Sequence, residues 1–272
     1  MTINNVFEVL KCTKCNSRLH LFNNSLLCDN RHCYDISKEG YVNLLLVNKK
    51  KSKQPGDDEL MITARDEFLN KGYYDEIIKN ICNIDEFKKL NIKILDAGCG
   101  SGYYLDKICQ NQNLTGCIGV DISKYAIKKA SKNDKKNFYC VASLFDLPIQ
   151  DQSVDVILNI FAPKANEEFN RVLKQDGLLI EVIPGKEHLK ELKQLLYKDK
   201  YTENEEKFAL NLKFIDSNRV KYSKELGKED ILNLFKMTPY WHSTSFKDKT
   251  NMLSIESLNI TFDFIINLWR NL

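Results

Sequence analysis

The 272-residue chain has no apolar run approaching the roughly 18 residues that a membrane-spanning helix needs. Its opening residues, Met1-Thr2-Ile3-Asn4-Asn5, lack the basic-then-apolar layout of a secretory leader. A cytoplasmic protein with no membrane partner is therefore expected. A disulfide framework is missing too: nine cysteines, an odd number at irregular spacing, suit free thiols or metal ligands in a reducing compartment. Charge of one sign is scarce, the formal net charge being only +3. That small excess is unevenly placed. Residues 1–54 hold nine lysines and arginines against four acids, so the remainder is slightly acidic. A basic appendage on a near-neutral body points to a polyanionic partner, with a solvated surface as the plain alternative.

What is present centres on Ile94-Leu95-Asp96-Ala97-Gly98-Cys99-Gly100-Ser101-Gly102, followed 19 residues later by Asp121. A short apolar strand ends in an acid and turns through Gly98, Gly100 and Gly102, where the backbone can pass close to a ligand. Strand, glycine turn, helix and a second acid form the pattern of a nucleotide-binding α/β half, with the second acid on ribose hydroxyls. The loop reads Asp-x-Gly-x-Gly-x-Gly, and Asp96 stands where a pyrophosphate would be repelled. A carboxylate there suits a cation. S-adenosylmethionine, with a sulfonium and an ammonium, fits that demand.

A second constellation lies upstream. Cys12-x2-Cys15 is followed by Cys28-x3-His32, and the segments between, broken at Asn23-Asn24, read as a hairpin. Two thiolates from a knuckle and two ligands from a later turn complete a tetrahedron, and sulfur-rich tetrahedra favour structural Zn2+. His32 is the preferred fourth ligand and Cys33 its rival. With so little core of its own, the module should need the metal to fold.

Along the chain, residues 1–47 are expected to form this module, and 48–58, rich in lysine and ending in Pro55-Gly56-Asp57-Asp58, a linker. Its four lysines are candidates for phosphate contacts. From 59 to 272 a larger domain alternates helices with strands at 94–97, 117–121, 137–142, 154–160 and 178–183, implying a parallel sheet covered on both faces. Ser123 is placed to cap the helix that follows Asp121. Residues 186–229, lysine- and glutamate-rich, carry helical patterning where a substrate-facing insertion is expected. Residues 257–268 alternate as the strand of a final edge hairpin.

These motifs together resemble the class I S-adenosylmethionine-dependent methyltransferases, and the fold implied is α/β, a Rossmann-like sheet with a small N-terminal zinc-binding β module. More narrowly, the chain is similar to bacterial large-subunit ribosomal RNA guanine-N1 methyltransferases. The zinc ligands carry that likeness, with Lys38-Glu39-Gly40-Tyr41-Val42-Asn43, Pro55-Gly56-Asp57, Met61-x3-Arg65-x2-Phe68-Leu69, Gly102-Tyr103-Tyr104 and Met237-Thr238-Pro239. The resemblance implies methyl transfer to N1 of a guanine in a hairpin loop of 23S rRNA, a zinc module that helps grip RNA, and a homodimer. Some members confer macrolide resistance. It also implies donor contacts from Asp96, Gly98, Gly100, Gly102, Tyr104, Asp121, Ile122, Ser143 and Leu144. Ser143 replaces the acid that often receives the adenine amino group.

On the substrate side, Phe161-Ala162-Pro163-Lys164 should border the target base, Phe161 stacking on it and Lys164 facing an N1 or O6 anion. Arg65 and Tyr74 are candidates to close over the donor, with simple packing of an N-terminal helix as the alternative. No general base stands out: Asp146 and His188 remain weak candidates, and His188 reads as a surface residue. A methyltransferase acting on a small molecule or another RNA is the alternative, and a non-enzymatic RNA-binding protein a further rival.

Overall fold

The computed structural model describes residues 3–46, 48, 55–88, 91–112, 114, 117–197, 212–244, 249, 252 and 254–272. The linker lysines Lys49, Lys50, Lys51 and Lys53 lie outside the described residues. After a 3-10 turn over Ile3–Val9, the ribbon consists of β1 (Leu19–Phe22), β2 (Ser25–Cys28) and β3 (Cys33–Asp35), all antiparallel. Asn23 supplies the positive φ of the predicted hairpin turn, a conformation that asparagine tolerates. The next strand, β4 (Val42–Asn43), leaves the ribbon and pairs parallel with a strand of the main sheet.

That sheet is built from β5 (Ile94–Ala97), β6 (Ile118–Asp121), β7 (Phe138–Val141), β8 (Val154–Ile160), β9 (Leu173–Pro184), β10 (Leu212–Gly227) and β11 (Ser257–Asn271). With β4 it has eight strands, in the order β10-β11-β9-β8-β5-β6-β7-β4. The strands from β9 to β4 run parallel, and β11 and β10 add antiparallel partners at the far side. Sequence order reverses between β5 and β8, the place where such sheets open a ligand crevice at their carboxyl ends.

The helices are α1 (Glu59–Asn70), α2 (Asp75–Cys82), α3 (Tyr103–Gln112), α4 (Lys124–Asn133), α5 (Asn166–Val172), α6 (Lys190–Tyr197), α7 (Lys228–Lys236) and α8 (Tyr240–Ser243). Their starts follow the sequence. Asp58 accepts from the Met61 amide at 2.9 Å, and Ser123 accepts from the Ala126 amide, satisfying donors that the first turn leaves open. Both faces of β5 are buried, as a central parallel strand requires. Ile94 packs into a core with α2, α3, α4 and α7. Leu95 and Ala97, of opposite parity, share a second core with α5 and with Leu10, Leu19 and Leu26 of the ribbon end. The ribbon thus covers part of one sheet face.

One expectation is corrected. Within 186–229 only Lys190–Tyr197 and the start of α7 are helical among the described residues, while Leu212–Gly227 is a 16-residue strand. Its lysines face solvent along the sheet edge, where charge is tolerated. As expected, β11 belongs to the antiparallel pair at the sheet edge, lying between β9 and the outermost strand β10. No described helix is long and apolar enough to cross a membrane.

Candidate functional site

At the ribbon, the ligand atoms of Cys12, Cys15, Cys28 and His32 all lie within 4.8 Å of one another. Cys12 Sγ is 3.4 Å from His32 Nδ1, Cys15 Sγ is 3.7 Å from Cys28 Sγ, and Cys28 Sγ is 3.5 Å from His32 Nδ1. A zinc tetrahedron with ordinary Zn–S and Zn–N bonds has edges of about 3.4–3.8 Å. The donor set therefore fits zinc, and the fourth member of the cluster is His32, while the exposed Cys33 is not among the clustered groups. Backbone amides of Lys14 and His32 donate to the sulfurs of Cys12 and Cys28. The Cys15 thiol is drawn below its ordinary value by side-chain hydrogen bonds from Ser17 and Asn30. Four protein ligands leave no open position, so this centre is structural.

The second site lies at the carboxyl ends of β5, β6, β7 and β8. Asp96, the penultimate residue of β5, is 1% exposed, and its Oδ2 has no hydrogen-bond partner. Burial, and then the neighbouring Asp121, push its carboxyl up to about 8. An unpaired buried oxygen is costly, and a bound ammonium would both pair with it and return it to the ionised form. The residues present thus fit the cationic donor. Asp121 accepts from the Gly100 amide at 3.0 Å and from the Ser123 amide at 2.7 Å, which fixes the second acid against the loop. Burial raises its carboxyl as well.

The three glycines differ in purpose. A Cβ on Gly98 would stand 2.4 Å from the Ala162 Cβ, and one on Gly102 would stand 2.8 Å from Tyr139 Oη. Both are therefore needed for packing within the protein. On Gly100 a Cβ would meet only Arg65 Nη1, at 3.9 Å, so this glycine faces open space. The buried hydroxyl of the adjacent Ser101 also lacks a partner, a feature that sequence reading missed because serine in a glycine turn is unremarkable by pattern.

Further residues surround this loop. Gly56 packs on Ile122 and Ser123, and Ser123 Oγ donates to the Asp57 carbonyl at 2.8 Å, so the end of the linker straps over the segment that follows Asp121. Ser143 forms a tight turn to Asp146 and accepts from the Phe145 amide at 3.2 Å. Leu144 is buried against the Gly98 side of the loop, while Phe145, not singled out by sequence, is 66% exposed.

The loop after β8 meets the glycine loop through Ala162. Phe161 there has φ of 52°, a strained conformation for a bulky side chain of the kind that clusters at functional sites. Its ring is 41% exposed and belongs to an aromatic group with Tyr74 at 5.9 Å, Tyr104 at 6.5 Å and Phe264 at 5.6 Å. Lys164 forms an ion pair at 2.9 Å with the fully buried Glu181, whose other oxygen accepts from Asn267. This ion pair ties Lys164, in the loop after β8, to β9 of the sheet.

His188 is a correction. It is buried, not on the surface, and its ring lies nearly parallel to that of Phe161 with centroids 6.3 Å apart. Its Nδ1 accepts from the Asp263 amide, so the proton of the neutral ring sits on Nε2, towards Tyr74 Oη at 3.4 Å. Burial, chiefly, and the charge of Lys193 push it down to about 3. Such a group orients its neighbours and is a poor base.

An α/β sheet with an acid-glycine loop at its switch point, preceded by a Cys3His ribbon, defines a nucleoside-donor transferase with a zinc module. A methyltransferase-domain profile matches residues 88–236, and a profile described as RlmA, N-terminal, a zinc ribbon, matches residues 10–53. YxjB of Bacillus subtilis, which carries the provisional name of a 23S rRNA (guanine-N(1)-)-methyltransferase, is 35% identical over 94% of this chain and 95% of its own. The 23S rRNA (guanine(748)-N(1))-methyltransferase of Streptomyces fradiae is 27% identical over 88% of each chain. A Micromonospora griseorubida protein, also provisionally named for 23S rRNA guanine-N(1) methylation, is 30% identical over 86% of this chain and 87% of its own. The chain belongs to the 23S rRNA (guanine-N1)-methyltransferase family.

Proposed function

We propose that this protein transfers a methyl group from S-adenosylmethionine to N1 of a guanine in 23S rRNA, and that the guanine lies in a hairpin loop. The observation that carries the donor half is the buried, unpaired Asp96 oxygen beside Asp121 at the switch point. The rRNA target is supported by family membership and by the basic excess of residues 1–54, which the linker lysines chiefly supply.

In this reading residues 1–47 grip RNA, 48–58 link and strap, and 59–272 form the transferase body. Asp96 takes the donor ammonium and Asp121 the ribose hydroxyls. Ile122, Ser143 and Leu144 border the adenine, and Gly98, Gly100, Gly102 and Tyr104 shape the floor. When bound, S-adenosylmethionine supplies an electrophilic methyl on its sulfonium. Phe161 stacks on the extruded guanine, and Lys164, held by Glu181, adds positive charge near the edge that loses the N1 proton. Alignment is the main contribution these residues make, because methyl transfer is rapid once N1 faces the sulfonium at near-attack distance. A loop guanine is already unstacked and is cheaper to extrude than one in a duplex. Zinc on Cys12, Cys15, Cys28 and His32 keeps the ribbon folded. The working unit is a homodimer in the cytoplasm, where ribosomal RNA is modified.

The test is incubation of purified protein and labelled donor with 23S hairpin transcripts and matched duplexes. Label on guanine N1 of a hairpin supports the reading. Label on another atom, or equal transfer to a small molecule with no RNA requirement, overturns it.

A further inference from the structure

We propose that Arg65 binds the carboxylate of the donor's amino-acid tail and so selects a full amino-acid donor. This rests on the S-adenosylmethionine reading above and adds the partner for the one ionic group of the donor that Asp96 and Asp121 cannot hold. An ammonium and a ribose suit acids; a carboxylate needs a cation or hydrogen-bond donors.

Arg65 extends from the middle of α1 to the open side of the glycine loop, its Nη1 being the one atom within 4 Å of where a Gly100 Cβ would stand. Its charge acts on Asp121 on one side and on Tyr74 and Tyr104 on the other. The tail of a donor whose ribose meets Asp121 and whose methyl faces the Phe161 aromatics must cross that interval. The guanidinium is pre-set there. Nη1 forms an ion pair with Asp57, and Nη2 donates to the Met237 carbonyl at 3.1 Å. Arginine presents five donors in a rigid fork, so these two partners leave further N–H groups for an incoming carboxylate. Ser101, adjacent to Gly100, contributes a buried hydroxyl without a partner, the kind of group that a bound anion would satisfy.

The same contacts allow another role, in which Arg65 merely clasps the strap at Asp57 to the end of α7 at Met237. Ligands with and without the carboxylate separate the two. Affinities of the full chain for S-adenosylmethionine, for decarboxylated S-adenosylmethionine and for 5′-methylthioadenosine are measured by calorimetry in wild type, Arg65→Ala and Asp57→Asn. Arg65→Ala should weaken S-adenosylmethionine on the order of 10- to 100-fold, the scale of a lost charged hydrogen-bond pair. The other two ligands, which lack the carboxylate, should be little affected. Asp57→Asn, which breaks the ion pair from its other end, should leave the preference for the carboxylated donor near its wild-type value.

Equal weakening of all three ligands by Arg65→Ala, or no change in any, overturns the assignment. So does loss of the preference in Asp57→Asn to the same degree as in Arg65→Ala. Wild-type protein that binds none of the three contradicts the methyl-donor reading itself, and the Arg65 assignment with it. Retained 5′-methylthioadenosine binding in the variants shows that the nucleoside site is still folded.

Discussion

The zinc ribbon and the glycine loop each gather groups that a cation would balance, and they tolerate its absence in opposite ways. In the ribbon three thiols and an imidazole lie within 4.8 Å of one another, beside strands of only three or four residues. Little local core holds them there, so the metal is part of the folding energy. In the glycine loop the acid is the penultimate residue of a strand buried on both faces, and the sheet stands whether or not a donor arrives. There the strain is chemical and is relieved by a proton on Asp96. One site needs its cation to exist; the other needs it only to work.

Removing the metal should have the largest effect. Structural zinc sites contribute about 10–16 kcal/mol of apparent binding energy, so chelation or Cys28→Ser should melt the ribbon. Hydrogen exchange would show amides of Leu19–Cys28 losing protection while those of Ile94–Ala97 keep theirs. Protection that survives in the ribbon would erase the contrast between the two sites.

Asp96→Asn comes next. Losing a charged partner for the ammonium should weaken donor binding by about 1.5–3 kcal/mol, while the donor-free protein becomes more heat-stable. Calorimetry and thermal melts would read both, and the opposing signs are the informative part. A variant that loses affinity and stability together would make Asp96 a structural residue.

A pH series sharpens the same point. The Asp96 carboxyl is raised from 3.8 to about 8, so the fold holds a proton that the unfolded chain gives up across that window. Stability of the donor-free protein should therefore fall as pH rises from about 4 to about 8. Donor affinity should run the other way and rise towards pH 8, since the ammonium binds the ionised form. Asp96→Asn should flatten both slopes.

Phe161→Ala should have the smallest effect and a selective one. Base stacking on an aromatic ring contributes about 1–3 kcal/mol, so turnover on RNA should fall while donor affinity stays unchanged. Equal loss of donor affinity would move Phe161 from the substrate side to the donor side.

How much of this was legible in the sequence follows the distance over which each feature is determined. The ribbon ligands, the Asp96–Gly102 loop, Asp121 and the Ser123 cap are set by neighbours within about 20 residues, and each was readable. The strand Leu212–Gly227 was read as helical because its solvent-facing edge is rich in lysine and glutamate. Its conformation is imposed by pairing with Ser257–Asn271, far along the chain. His188 follows the same rule: nothing local marks it as buried, and Phe264 and the Asp263 amide enclose it from β11. The left-handed backbone of Phe161 has no sequence signal either, since phenylalanine does not favour it; the packing of Ala162 on Gly98 accompanies it. The tie between Lys164 and Glu181 joins the loop after β8 to β9 and is likewise hidden.

The most direct measurement is mass mapping of 23S rRNA from cells with the gene, without it, and with the Asp96→Asn form restored. The N1-methylguanine signal should vanish on deletion, return with the wild-type gene and stay absent with Asp96→Asn. A signal unchanged by deletion would contradict the assignment of this rRNA guanine as the substrate.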